Sequence, residues 1–204
     1  MSELPPSPGA ARPGGAAAPV RPFDASPAAA GVSLAIAAGT ALLGLAAGYL
    51  WSLAAPRALL VMVSPGAADL VRTETTAFIA ADLIFCLIAL AGGVISGALG
   101  YLLGVRRYGP LPMAGLLAGA LAAAFLARWA GEQAGLAGFH HLLATLPAGG
   151  HLRDPLTLRA TGAMAFWPLA ACLTAGGMEA FATRGQHRDR AGRPVLAAPG
   201  PGAP

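Results

Sequence analysis

The chain has 204 residues, of which 56% are apolar and only 11% charged, less than half the charged fraction of about 25% usual in soluble domains. So few charges cannot cover a water-facing surface. The formal charge of +4 comes from arginines in small groups beside apolar runs, with no basic face interleaved with aromatics, so nucleic acid is excluded as a partner.

Residues 1–27 carry seven prolines among Gly, Ala and Ser and no run able to bury a core, and are expected to form a disordered tail. Residues 28–51 are an apolar run without a charge, long enough at about 1.5 Å per residue to cross a hydrocarbon core of about 30 Å. The run is too long for a signal-peptide h-region and is expected to stay in the membrane as an anchor. Pro56 closes it, and Tyr49 and Trp51 stand where an interfacial aromatic belt belongs.

Arg57–Arg72 differs in kind. The string Ala58-Leu59-Leu60-Val61-Met62-Val63, the turn Ser64-Pro65-Gly66 and then Ala68-Asp69-Leu70-Val71 predict a short β-hairpin outside the membrane. An amphipathic segment lying on the lipid surface is the alternative.

A second span is expected at about 77–104, with Leu83–Leu103 embedded and Thr73–Asp82 projecting beyond the outer surface. Val105-Arg106-Arg107-Tyr108-Gly109 then makes a tight helical hairpin, and Pro110 and Pro112 open a third span at about 110–130. Ala130–Leu158 is a second external stretch in which Gly131, Gly135, Gly138, Pro147, Gly149, Gly150 and Pro155 should break regular structure. Its His140, His141, His151 and Asp154 have no zinc-site spacing and read as solvated loop residues. The last span is expected at about 159–182, kinked in its middle by Trp167-Pro168. Residues 184–204 are a basic, proline-rich tail expected to be disordered. The fold class is therefore an all-α membrane protein, a bundle of four transmembrane helices under a small extracytoplasmic cap of hairpin and loop.

Orientation follows from the arginines. Arg106, Arg107 and Arg184 flank spans on one side, which places both termini in the cytoplasm of a multi-pass protein of the bacterial cell membrane.

Small residues must supply contact between lipid-embedded helices, because hydrophobicity gives no drive there. Gly44 and Gly48 mark such a face on the first span, and Gly115 and Gly119 on the third. Gly92, Ser96, Gly100 and Gly104 stand at strict fourth positions on the second, with Gly93 and Gly97 beside them, and point to that helix as the bundle's centre. Cys86 and Cys172 lie in apolar runs and read as small apolar groups.

Charges beside a span need a partner or water. Asp82, Arg128 and Arg159 fall near the outer ends of three spans, with Glu74 and Glu132 further out. A network in which Asp82 pairs with Arg128 or Arg159 and pins three helices is expected, with snorkelling to headgroups as the competing outcome. Glu179 reads as an anchor near the cytoplasmic end.

The stretch Thr73-Glu74-Thr75-Thr76-Ala77-Phe78-Ile79-Ala80-Ala81-Asp82, then a glycine-studded span and Arg106-Arg107, resembles an uncharacterised family of actinobacterial membrane proteins. Pro155-Leu156-Thr157-Leu158-Arg159-Ala160, leading to Phe166-Trp167-Pro168-Leu169-Ala170, is similar to that family's second signature. The resemblance implies four spans and carries no activity.

No lysine occurs anywhere, which removes Walker, kinase and Schiff-base chemistry, and GxSxG triads, HExxH, CxxC and EF-hand patterns are absent. No catalytic, cofactor or metal residues are expected. The expected role is non-enzymatic, an accessory or scaffold component of the cell envelope whose partners are the lipid bilayer and other membrane proteins or further copies of itself. A small transporter or channel subunit is the alternative, though few polar groups, among them Ser96 and Thr174, fall near the bilayer midplane where transport needs them.

Overall fold

The computed structural model describes residues 26–64, 66–71 and 75–191. The expected disordered segments 1–25 and 192–204, and Glu74, lie outside the described residues.

Helix α1 runs from Pro27 to Ala54. Ser26 caps it, its hydroxyl accepting from the Ala29 N–H at 3.2 Å, and Pro27 occupies the first turn, where a missing N–H leaves no bond unmade. Ala55, next to Pro56, is already extended, as the residue before a proline prefers. Strands β1 (Leu59–Ser64) and β2 (Ala67–Leu70) follow. Helix α2 (Thr75–Gly100) widens into a π turn over Tyr101–Val105 and ends in the short α3 (Arg106–Tyr108). Gly109, at φ 81°, makes the reversal that a side chain would strain, and Pro110 opens α4 (Pro110–Gln133). Helix α5 (Leu136–Thr145), strand β3 (His151–Arg153), a 3-10 turn over Thr161–Ala165 and α6 (Phe166–Ala191) complete the chain.

Three stretches are long and apolar enough to cross a membrane: Pro27–Ala54, Thr76–Tyr108 and Pro110–Thr145, with mean hydropathies of 1.9, 2.5 and 1.8. The segment expected as the fourth span is not among them. Residues 155–160 of it are in neither helix nor strand and 161–165 form the 3-10 turn, so the α-helix starts only at Phe166. That helix then continues through Glu179 to Ala191, eight residues into the expected tail. Pro168 consequently sits in the first turn of α6 rather than in the middle of a span. First-turn N–H groups have no partner within their own α-helix, so the missing N–H of Pro168 leaves no bond of α6 unmade.

The four long helices bury many alanines around a few large side chains, among them Trp51, Phe85, Leu116 and Trp167, and leave many large apolar residues outside. Ala81, Ala89, Ala120, Ala123, Ala124 and Ala127 are buried, while Leu34 is 72% exposed and Leu173 74%. A water-soluble bundle buries its large side chains, so this distribution suits a surface that meets lipid.

The closest backbone approach is α1 on α4. Gly115 lies against Ser33, Gly119 against Ala37 and Thr40, Gly44 against Ala123 and Gly48 against Ala127. The numbers rise together, so the two helices run parallel along faces of small residues four apart. A Cβ at Gly44 or Gly48 would overlap a backbone carbonyl of α4. Helices α2 and α6 form a second parallel pair through Gly93 and Gly97, which lie on Trp167, Ala170 and Ala171. The row Gly92, Ser96, Gly100 and Gly104 has a different use from close helix approach. It receives side chains from α6, α4 and α1: Trp167 at Gly92, Leu116 at Gly100, and Ile36 with Pro112 at Gly104. Both α2 and α4 touch all three other long helices.

Beyond one end of the bundle lies the cap, an antiparallel sheet of order β2-β1-β3. The hairpin expected within Arg57–Arg72 forms over 59–70, with Leu60 opposite Leu70 and Gly66 turning at φ 80°. Strand β3 adds to its other edge, with Leu60 opposite Leu152. Leu60, Met62 and Leu152 are buried, and Phe139, Leu143 and Leu146 pack on them. The glycine-rich stretch Ala130–Leu158, expected to lack regular structure, is therefore partly regular. Gly131 lies within α4, and Gly135 at φ 93° precedes α5.

Candidate functional site at the capped end

Polar groups that the sequence singles out, Asp82, Arg128, Glu132 and Arg159, meet around one strap, residues 155–160, which crosses the capped end of the bundle. Its apolar and polar residues alternate. Leu156 and Leu158 are buried in the main core, while Thr157 and Arg159 are exposed. The segment buries two side chains but pairs with no strand of the sheet, so its N–H groups need other acceptors.

Two carboxylates meet that demand. The Glu132 Oε1 of α4 accepts from the Leu158 N–H at 3.1 Å. Asp82 of α2 accepts from the next two amides, Arg159 N–H at 3.2 Å and Ala160 N–H at 2.9 Å. The pair of bonds to Asp82 falls just ahead of the 3-10 turn, where free N–H groups and the local dipole favour a negative charge.

The expected charge network divides accordingly. Arg128 pairs with Glu132 of its own helix at 3.0 Å. The Arg159 guanidinium lies 3.5 Å from the Phe78 ring centroid, a cation–π contact worth about 0.5–1 kcal/mol at an exposed site. Among the described residues Asp82 pairs with neither arginine side chain. Its partners are backbone amides, because the strap brings them closer than either guanidinium.

Three further residues complete the site, and the sequence reading missed their roles. Trp51, taken there for an interfacial residue, is fully buried. Its Nε1–H donates to the Ala81 carbonyl at 2.8 Å, its ring meets Phe85 edge-on at 5.1 Å, and Gly131 leaves room for it. One side chain thus ties α1, α2 and α4. Arg57 donates to the Ser52 carbonyl at 3.2 Å and the Ala134 carbonyl at 3.3 Å. A fixed cation there complements the negative ends of both α1 and α4. Asp154, whose N–H donates to the Ala58 carbonyl at 2.8 Å, anchors the start of the strap. Partial burial raises its carboxyl above the usual value of 3.8, with Arg159 opposing the shift. The signal for the strap was present in the alternation of Leu156-Thr157-Leu158-Arg159.

Elsewhere, the Trp167 Nε1–H donates to Ser96 Oγ at 3.3 Å, and that hydroxyl donates to the Gly93 carbonyl at 3.2 Å. Ser96 is thereby engaged within the α2–α6 contact. Cys86 and Cys172 are free and half-buried. His140 and His141 are exposed on α5 and His151 on β3. Among the described residues no group of three His, Cys, Asp or Glu converges on a common point. The arrangement at the capped end can fasten a segment. Among the described residues it presents no nucleophile with an adjacent base.

Comparison with protein-family models, curated proteins and solved structures gives no match to the chain.

Proposed function

We propose that the chain is an integral membrane protein of the bacterial cell envelope that crosses the bilayer four times, with both termini cytoplasmic, and serves as a non-enzymatic accessory or scaffold component. The observation that carries this reading is the strapped cap. Carboxylates of two bundle helices hold the strap, Arg57 joins two helix ends, and the outer end becomes a fixed platform rather than an open mouth. The platform leaves Leu59, Val63 and Val71 exposed, apolar side chains available to another envelope protein. Support for α6 as the fourth span comes from its outer face, where Leu169, Leu173 and Phe181 are 59%, 74% and 75% exposed. A helix in water would not favour such a row, and its parallel contact with α2 supports its sharing the bilayer. The resemblance of the 73–82 and 155–170 segments to a four-span family agrees with this count.

The runner-up is a small transporter or channel subunit. It draws on a groove of about 530 Å³ between α1 and α2, in which Thr40 and Ser96 are the polar residues. Transport sites require more polar lining at the midplane than this.

Topology is tested by single cysteines in a chain with Cys86 and Cys172 replaced. Those at Tyr108 and Ala197 should react only from the cytoplasmic side, and those at Gly66 and Gly149 only from outside. External reaction at Ala197 with internal reaction at Tyr108 would mean that α6 does not cross. The role is tested by cross-linking in native membranes through a photoreactive group at Val63. A reproducible envelope-protein adduct is expected, whereas solute flux in vesicles holding the chain alone would favour the transporter.

A further inference from the structure

At the end of the bundle away from the cap, a cleft of about 770 Å³ opens between the π turn of α2 and the later turns of α6. Leu102, Met178 and Phe181 form apolar walls, and Tyr101, Arg106 and Glu179 supply polar groups. Arg106 and Glu179 are both exposed and come from different helices. No ion pair joins them among the described residues. Tyr101, itself buried, lines the cleft together with the two charged residues. The π turn contributes to this shape. The Arg106 N–H bonds back to the Tyr101 carbonyl five residues earlier, and such a turn adds a residue to the helix and widens it locally.

A cation and an anion held apart over an apolar wall suit a ligand that is itself split in the same way. On the membrane-spanning reading, on which this inference rests, the cleft lies where the hydrocarbon meets the headgroups, beside Arg107 and Arg184. We propose that it binds one phospholipid bearing a primary ammonium headgroup, with the phosphodiester on Arg106, the ammonium on Glu179 and an acyl chain along Leu102, Met178 and Phe181. Charge-assisted hydrogen bonds form at both ends of that headgroup. A trimethylammonium headgroup has no N–H to donate to Glu179. A glycerol headgroup brings only negative charge, which Glu179 opposes.

The experiment uses the purified, delipidated full chain in a mild detergent, titrated with dioleoyl lipids carrying ethanolamine, choline or glycerol headgroups, with bound lipid counted by native mass spectrometry. The ethanolamine lipid should be retained about tenfold more tightly than the other two, the difference expected of one charged hydrogen bond. Glu179→Gln should abolish the preference for ethanolamine over choline, and Arg106→Gln should weaken all three, while Arg107→Gln changes nothing. All three altered side chains are exposed, so melting temperatures should match the parent and report that the fold persists. Equal retention of the three lipids, or a preference that survives Glu179→Gln, would overturn the proposal. Failure of the membrane reading would appear separately, as recovery of the chain in the aqueous fraction before any lipid is added.

Discussion

Trp51 of α1 donates its indole N–H to the Ala81 carbonyl of α2 at 2.8 Å, across the face of a third helix that has only a glycine, Gly131, beneath the ring. The ring fills the junction of three helices, and the hydrogen bond fixes its direction. Trp51→Phe keeps an aromatic ring beside Phe85 but loses the donor and some volume. A stability loss of about 1–3 kcal/mol is expected, read as a lowered melting temperature in detergent. An unchanged melting temperature would show that the junction closes without the indole.

Glycines of α1 offer an internal contrast. A Cβ at Gly48 would overlap the Ala127 carbonyl, whereas one at Gly39 would meet nothing within 4 Å. Gly48→Ala should push α1 from α4 and destabilise by about 1–3 kcal/mol. Gly39→Ala should be neutral or stabilising by up to about 1 kcal/mol through helix propensity. If the two variants melted alike, the parallel α1–α4 contact would be wrong.

Asp82 is expected to act through the backbone of the strap. Asp82→Ala removes the acceptor of the solvent-accessible Arg159 and Ala160 amides and should cost about 0.5–1.5 kcal/mol, and Asp82→Asn, which keeps one acceptor oxygen, about half of that. Neutralising Arg128 in the Asp82→Ala background should bring no recovery, because Arg128 belongs to Glu132. A double-mutant cycle measures this. A coupling between positions 82 and 128 beyond about 0.5 kcal/mol would restore the direct ion pair that the sequence suggested.

Asp154 introduces a pH dependence of known sign. Burial raises its folded-state carboxyl above 3.8, against the pull of Arg159, so the folded chain holds that proton more tightly than the unfolded chain does. Its favourable contribution is fully present below the unfolded value and is lost as pH rises through the higher folded one. Asp154→Asn should remove that loss, and the variant's advantage over the parent should grow from acidic to neutral pH in denaturation series. An advantage that shrank as pH rose would reverse the assignment.

The apolar runs, the hairpin over 59–70 and the small-residue faces were legible in the sequence because each depends on neighbours along the chain: run length, a turn between two strands, a four-residue spacing. The partner of each face was not. Rows at Gly44 and Gly115 look alike in isolation, and only the folded arrangement sets α1 parallel to α4 and turns the Gly92 row into sockets for Trp167, Leu116 and Pro112. Trp51 and Trp167 read as a boundary residue and part of a kink, yet both are buried, because glycines on other helices open the space their rings fill. Charge positions suggested that Asp82 should meet an arginine. Its actual partners lie 77 and 78 residues away, and they are backbone amides, which every residue but proline carries and no spacing distinguishes. A carboxylate takes the donors that the fold brings within 3 Å or so, and the path of residues 155–160 over the bundle, decided by the burial of Leu156 and Leu158, is a property of the tertiary structure alone.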